Sequence, residues 1–439
     1  MTRQSPVPEQ RASRLWQLGR LVGGIAGGVL SEGARQLAAG KRPSSADVLL
    51  TPANAARLAD RLAEMRGAAM KVGQLLSMEA GEFLPPEFTR VLAVLREQAH
   101  AMPLGQVNAV LKRAWGEDWA AGFRRFSFTP LAAASIGQVH EAETRDGRRL
   151  AIKIQYPGVR ASIDSDIENV AALLRLFRLL PREIDFQPLL DEARRQLHEE
   201  ADYLSEAGHI ARYAALVGDV PELAVPTVDA QRTTAEVLAM SFVPGAPIEA
   251  LAEAPQETRD AVATRLWALA LREVFDWGVV QTDPNFGNYR YDAETARIGL
   301  LDFGATRRLG RERVDALSRL LCATLDVDRT GVAAAAVEVG YLGAGDDGAY
   351  REAVVDLLCL AAEPARVGGP YAFGTSDLAR RVSEQVLTLR LDHRAGRLPP
   401  PDVLFLHRKL GGMYLLSQRL RARVDLAALV ARHAAPQRG

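Results

Sequence analysis

Cysteine is nearly absent from this 439-residue chain. Only Cys322 and Cys359 occur, each inside an apolar helical stretch (RLLCATL, DLLCLAA), and neither has a CxxC neighbour. That argues against a zinc site and makes a reducing compartment the default. The seven histidines are scattered, without metal-ligand spacing. Excess charge is missing too: Lys+Arg and Asp+Glu both total 54, so the net charge is zero. A general nucleic-acid binder would be basic, so no nucleic-acid partner is expected. Long apolar runs are also lacking. The longest near the start, LVGGIAGGVL at 21–30, falls well short of the roughly 20 residues that span a bilayer. Neither a signal peptide nor a C-terminal anchor (RVDLAALVARHAAPQRG) is expected, which leaves a cytoplasmic protein, peripheral on the inner face of the cell membrane if it meets a membrane at all.

What the chain does contain is ordinary globular composition, 48% hydrophobic and 25% charged, enough for two or three domains. Residues 1–50 form a first segment in which Pro, Ser, Gly and Arg are frequent. Its LVGGIAGGVL run holds two overlapping GxxxG spacings, Gly23/Gly27 and Gly24/Gly28, which permit close helix contact. The segment reads either as a flexible arm or as a helix that associates with membrane or dimerises. From 51 to 118 the pattern is helical. Leu58, Leu62, Met65, Ala69, Val72 and Leu76 fall on one face, and Thr51-Pro52 supplies a cap and first residue. Between 119 and 243 come alternating apolar residues, an Asp146-Gly147 turn, and two long helices at roughly 160–180 and 186–217. From 244 to 439 the chain is mostly helical, interrupted by strand-like runs around 289–291 and 298–301. The order is that of an α+β, protein-kinase-like two-lobe fold with a helical extension in front.

The chemistry gathers in QTDPNFGN at 281–288 and LLDFGATRR at 300–308. A kinase catalytic loop needs an Asp near the transferred phosphoryl group and, five residues later, an Asn that holds a metal ion; Asp283 and Asn288 have that spacing. Asp302, leading Phe303 and Gly304, matches the Asp that binds Mg²⁺ bridging the phosphates. All three offer hard oxygen, which suits Mg²⁺. Upstream, LAIK at 150–153 resembles the strand whose lysine pairs with the α- and β-phosphates, so Lys153 is the candidate. A glycine-loop template ending at Val139 puts Ala132, Ala134 and Gly137 at its glycine positions, with Ala133 and Ser135 between them. Two glycines are thus alanine, whose Cβ hinders close approach of backbone to phosphate. AAAS also reads as a short helical stretch. The His-Arg expected before Asp283 is Gln281-Thr282, and no A-P-E follows Asp302, so a peptide groove is not expected.

KVGQ at 71–74, AAASIGQVH at 132–140, AIKIQYPGV at 151–159, EADYLSEA at 200–207, QTDPNFGN and LLDFGATR together resemble the UbiB family of atypical kinases, in its coenzyme Q-associated form. The resemblance covers residues 15–420. It implies a protein-kinase-like fold whose helical N-terminal extension packs over the active site. It maps the Lys-x-Gly-Gln motif to Lys71 and Gln74, and the Glu-x-Asp motif to Glu200 and Asp202, with Lys71 reaching in beside Glu200. Glu206 is assigned to an ion pair with Lys153. Spacing alone does not make that choice: Glu199, Asp202 and Glu206 share one helical face, and Glu200 lies about 100° away from it.

The resemblance further implies an enzyme using ATP and Mg²⁺ in ubiquinone biosynthesis. Its partners would be ATP and ADP, isoprenoid quinone precursor lipids or quinone-biosynthesis proteins, and a membrane surface. Lys153 and the loop 132–137 would hold phosphates, Asn288 and Asp302 the Mg²⁺, and Asp283 the nucleophile. Strand 237–243 would lead to the adenine, with Met240 and Val243 at the pocket. A nucleotide-gated scaffold or lipid chaperone is the rival reading, and an ordinary protein kinase the third.

Overall fold

The computed structural model describes residues 67–69, 71–73, 102–134, 136–176, 187–218, 220–283, 285–343, 345–346, 348–392 and 399–433. The Gly-rich run at 21–30, the Thr51-Pro52 cap, Gln74 and Ser135 lie outside them. The chain divides into two compact units. One comprises Met1–Arg212 with Pro226–Phe242, the other Tyr213–Val225 with Val243–Gly439.

The first unit is built on an antiparallel sheet. Its strands are β1 (Phe123–Phe126), β2 (Ala132–Ala133), β3 (Gly137–Thr144), β4 (Arg149–Gln155) and, later in the chain, β6 (Val237–Ser241). The order is β1-β3-β4-β6, and β2 pairs with β3 through Ala132↔Val139 and Ala133↔Gln138. The alanine run is therefore a short strand and not a helical stretch. Between β3 and β4 the chain turns at Asp146-Gly147, as the sequence indicates. Gly147 has φ +84°, and Thr144 Oγ1 accepts from Arg148 N at 3.0 Å.

Alternation sorts the two faces of this sheet. Leu150, Ile152 and Ile154 of β4, Ala142 of β3, and Val237 and Ala239 of β6 join one apolar core. Helix α1 (Leu104–Trp115) covers that core with Val107, Val110 and Leu111, the three-and-four spacing of a single stripe. Trp119 packs edge-on to Phe126, their centroids 5.0 Å apart. The other face carries Gly137 and Val139 of β3, Ala151 and Lys153 of β4, and Leu238 and Met240 of β6. The register is Val139↔Lys153↔Leu238 and Ala151↔Met240.

Helices α2 (Val159–Leu176), α3 (Gln187–Glu200) and α4 (Tyr203–Val217) follow. The helix expected over 186–217 is thus two. It breaks at Ala201-Asp202 because Asp202 starts a new helix: its Oδ1 accepts from Ser205 N at 3.0 Å, the bond of an N-cap.

In the second unit, β5 (Leu223–Ala224), β7 (Ala246–Pro247), β9 (Tyr289–Asp292) and β10 (Arg297–Leu300) form a four-stranded sheet ordered β5-β10-β9-β7. Helix α5 (Gln256–Leu271) continues into a π-helical turn over Arg272–Asp276. The next strand, β8 (Val279–Gln281), pairs with β11 (Thr306–Arg308). The remainder is helical: α6 (Arg311–Leu325), α7 (Arg329–Val339), α8 (Gly348–Ala361), the short α9 (Glu363–Arg366), α10 (Leu378–Asp392), α11 (Pro401–Arg419) and α12 (Leu426–His433). A two-stranded ribbon, β12 (Tyr371–Ala372) with β13 (Arg423–Val424), interrupts them. Helix α7 is capped by Asp328, whose Oδ1 accepts from Gly331 N at 3.0 Å, and it ends at Gly340 with φ +95°. Leu320, Val332, Val339, Val355 and Val403 make the core of this helical region. Among the described residues no helix is long and apolar enough to cross a membrane.

Candidate active site

In the second unit, two ladders converge on the Asp-bearing loops. The β9–β10 hairpin pairs Tyr289 with Leu300, and Leu301 N donates to Asn288 O at 3.0 Å. Asn288 is thereby one residue, and Asp302 two residues, beyond the same end of one hairpin. The β8–β11 pair matches Gln281 with Thr306, and Thr282 donates to Ala305 O from both N (3.0 Å) and Oγ1 (2.7 Å). Asp283 follows Thr282 directly, so the two ladders bracket Asp302-Phe303-Gly304 from either side. Asn288 Nδ2 donates to Asp283 Oδ2 at 2.9 Å, while Gly304 N donates to Asp302 Oδ1 at 2.9 Å. Asn288 is buried and Asp283 half-buried.

The donor set fits Mg²⁺. With its nitrogen committed to Asp283, the Asn288 amide presents oxygen at its other end. No cluster of three or more His, Cys, Asp or Glu that could hold a metal occurs among the described residues. That excludes an all-carboxylate cage there. Mg²⁺ does not need one, since it takes one or two carboxylates and completes its shell with phosphate and water.

In the first unit, the sheet face turned away from the α1 core carries Lys153. Its Nζ donates to Glu206 Oε1 at 2.8 Å and Oε2 at 2.9 Å, and both side chains are buried. Glu206 sits in the first turn of α4, where the helix dipole favours an anion. Lys71, also buried, pairs with Glu200, the last residue of α3. Each lysine thus has its own glutamate. Asp202, expected beside them, caps α4.

Gly137, Val139, Lys153 and Met240 share one sheet face, whereas the alanines of β2 lie at the edge of β3. Ala132 and Ala133 are exposed and Ala134 is half-buried. Val243 lies beyond the end of β6 and packs against Gly299, where an added Cβ would overlap its Cγ1. Gly137 is equally confined: a Cβ there would overlap the Ile154 carbonyl and come within 3.0 Å of the Tyr203 hydroxyl.

Several side chains at these places escape a sequence-based reading. The Tyr203 ring stands 5.5 Å from Lys153 Nζ and is fully buried. In the second unit, Lys409 and Glu273 form an ion pair at 2.9 Å with both side chains 1% exposed. Tyr213 donates its hydroxyl to Glu273, and its ring lies 4.9 Å from that of Phe303. Glu273 follows Arg272 and Lys409 follows His407-Arg408, so neither stands alone between apolar neighbours as Lys153 does. The Gln281 amide, which replaces the expected His-Arg region, is buried with neither end hydrogen-bonded among the described residues.

The ABC1 atypical kinase-like domain family matches residues 94–336. Atypical kinase coq-8, mitochondrial, of Caenorhabditis elegans is 35% identical over 435 residues, which are 97% of this chain and 57% of that protein. The chain thus spans under two thirds of that relative. It spans more of atypical kinase COQ8, mitochondrial, of Saccharomyces cerevisiae: 35% identity over 431 residues, 97% of this chain and 85% of the yeast protein. The solved complex of Rv3197 with erythromycin from Mycobacterium tuberculosis aligns at a TM-score of 0.61 and 26% identity, over 87% of this chain and 97% of its own. The fold is α+β and protein-kinase-like, and the chain belongs to the ABC1 (UbiB) family of atypical kinases.

Proposed function

We propose that this protein binds Mg-ATP and acts as an atypical kinase or ATPase supporting ubiquinone biosynthesis, with a small lipid or water as phosphoryl acceptor. The observation that carries the proposal is the convergence of Asp283, Asn288 and Asp302 on two adjoining ladders, with Asn288 bonded to Asp283. Asn288 and Asp302 would hold Mg²⁺, which when bound would neutralise charge on the phosphates. Asp283, fixed by the Asn288 amide, would accept the hydrogen bond of the attacking hydroxyl or water and orient it. Lys153 would position the α- and β-phosphates, held for that task by Glu206. Met240 and Val139, on the face of Lys153, would border the nucleotide, and residues 132–137 would cover its phosphates. Lys71 and Gln74 would belong to an extension, residues 51–118, that limits access for a peptide. The chain's family and motif form support a quinone precursor lipid, met at a membrane surface, as the acceptor other than water.

A nucleotide-gated scaffold is the second reading. Alanine at 132–134 and the Lys71–Glu200 pair favour it, because both would slow transfer while permitting binding.

ADP production under multiple turnover, with and without a quinone-precursor lipid, separates the two readings. The enzyme predicts more than one equivalent of ADP per chain, the phosphoryl group leaving as phosphate or carried on the lipid, and Asp283→Asn abolishes it. Tight Mg-ATP binding with less than one equivalent of ADP formed in either condition would favour the scaffold instead.

A further inference from the structure

The loop from Gln281 to Asn288 lacks the His-Arg that precedes the catalytic Asp in a kinase loop, so something else must hold it. The second unit supplies a buried ion pair behind it. Glu273 lies in the π-helical turn after α5, and Lys409 in the middle of α11, 136 residues away. Single-turn π segments shift the register of a helix face and recur at functional places. Here the turn directs Glu273 inward, beside Val274, which packs with Val280 of β8 and Leu406 of α11.

What the pair holds is specific. The Glu273 carboxylate is ion-paired with Lys409 at 2.9 Å, accepts from its Nζ at 3.3 Å through Oε1, and accepts from the Tyr213 hydroxyl. Lys409 Nζ donates onward to the Tyr289 hydroxyl at 3.3 Å, immediately after Asn288. The pair therefore grips the Asn288 end of the loop through Tyr289, and at the other end the turn that carries Glu273 packs through Val274 on Val280, the residue before Gln281. Through Tyr213 the pair also reaches the ring of Phe303, beside Asp302. Burial acts against the Lys409 ammonium, but the Glu273 charge prevails and holds its pKa above the ordinary lysine value.

An ion pair with both partners 1% exposed is poor value as a stabiliser, since well-packed apolar residues often do as well. A geometric role accounts for its presence better. We infer that Glu273 and Lys409 are positioning residues, which fix the Gln281–Asn288 loop from behind in place of the missing His-Arg. The kinetic part rests on the ATP-turnover reading; the structural part does not.

Removing one partner leaves a buried unpaired charge, so Glu273→Gln and Lys409→Met alone are expected to unfold easily. The informative protein is the full-length double variant Glu273→Gln/Lys409→Met, which buries no charge. Hydrogen exchange is the first readout. Amides of 281–288 should exchange at least about tenfold faster than in the wild type, while those of α7 stay unchanged. Turnover is the second. ADP production should fall about 100-fold in kcat with KM for Mg-ATP nearly constant, as for a misplaced but still bound constellation. Unchanged exchange at 281–288 in a folded double variant would overturn the inference, whatever the activity. If the wild type forms no ADP with or without a quinone-precursor lipid, the turnover reading fails, and the exchange data still decide the positioning role.

Discussion

Lys153 holds both oxygens of Glu206, at 2.8 and 2.9 Å, across 53 residues of sequence, and the glutamate side chain is wholly shielded from water. Such a pair contributes little to stability as a whole, but breaking it from one side strands a buried charge. Lys153→Met is therefore expected to lower unfolding stability by about 3–5 kcal/mol, and Lys153→Met/Glu206→Leu by much less. Urea unfolding of both variants checks this. A Lys153→Met loss no larger than about 0.5 kcal/mol, typical of the surface, would show that the pair is not closed in solution.

Gly137 and Ala134 flank one turn but should respond oppositely. Gly137→Ala sets a methyl group against the Ile154 carbonyl and the Tyr203 hydroxyl, so β3 must part from β4. A loss of about 1–3 kcal/mol is expected from such overpacking. Ala134→Gly meets no such obstacle and should cost under about 1 kcal/mol, while changing the response to ATP and ADP. Thermal melts with and without each nucleotide distinguish the two.

Asp202 is expected to act through the helix it caps. Asp202→Ala should cost about 1 kcal/mol, and Asp202→Ser should recover most of it. Nucleotide affinity should be unchanged in both. A tenfold loss of affinity in the Ser variant would instead give Asp202 a place in the pocket.

His140 makes the first unit sensitive to acid. Its Nδ1 donates to the Ser127 carbonyl at 2.8 Å, so Nε2 is left to accept from the Gln138 amide at 2.7 Å; Gln138 in turn accepts from Met102 N at 2.8 Å. That chain requires the neutral ring. Burial holds the His140 pKa below its usual 6.5, against the raising effect of the Ser127 bond. As pH falls through 6.5 the unfolded chain takes up a proton that the folded one refuses, so stability declines below that value. Melting wild type and His140→Asn from pH 7.5 to 5 should show a shallower slope in the variant. Parallel slopes would remove His140 as the cause.

Much of this arrangement was legible in the sequence because local rules govern it. Asp146-Gly147 announces a hairpin turn, alternation in LAIKIQ puts Lys153 opposite the Ile152 and Ile154 core face, and the strand-like runs at 289–291 and 298–301 became β9 and β10. Where neighbours decide, local rules failed. Ala201-Asp202 holds no Gly or Pro, so a helix was expected to run through it. Over a continuous helix, Glu200 and Glu206 would stand about 120° apart, and the break frees each to meet a different lysine. The alanine run forms a strand because β3 offers it an edge. Glu273 and Lys409 sit beside Arg272 and Arg408, which hides them among ordinary helix charges, and nothing local pairs residues 136 apart.

The most direct test of the central claim is a thermal-shift titration with ATP and ADP, with and without Mg²⁺, on the wild type and Asp302→Asn. Ligand at about 100 times its dissociation constant should add about 2.7 kcal/mol of stability, several degrees in Tm. A Mg²⁺-dependent shift that Asp302→Asn abolishes is the predicted result. No shift with any nucleotide, or one indifferent to Mg²⁺ and to Asp302, would contradict the assignment of Asp283, Asn288 and Asp302 to one nucleotide site.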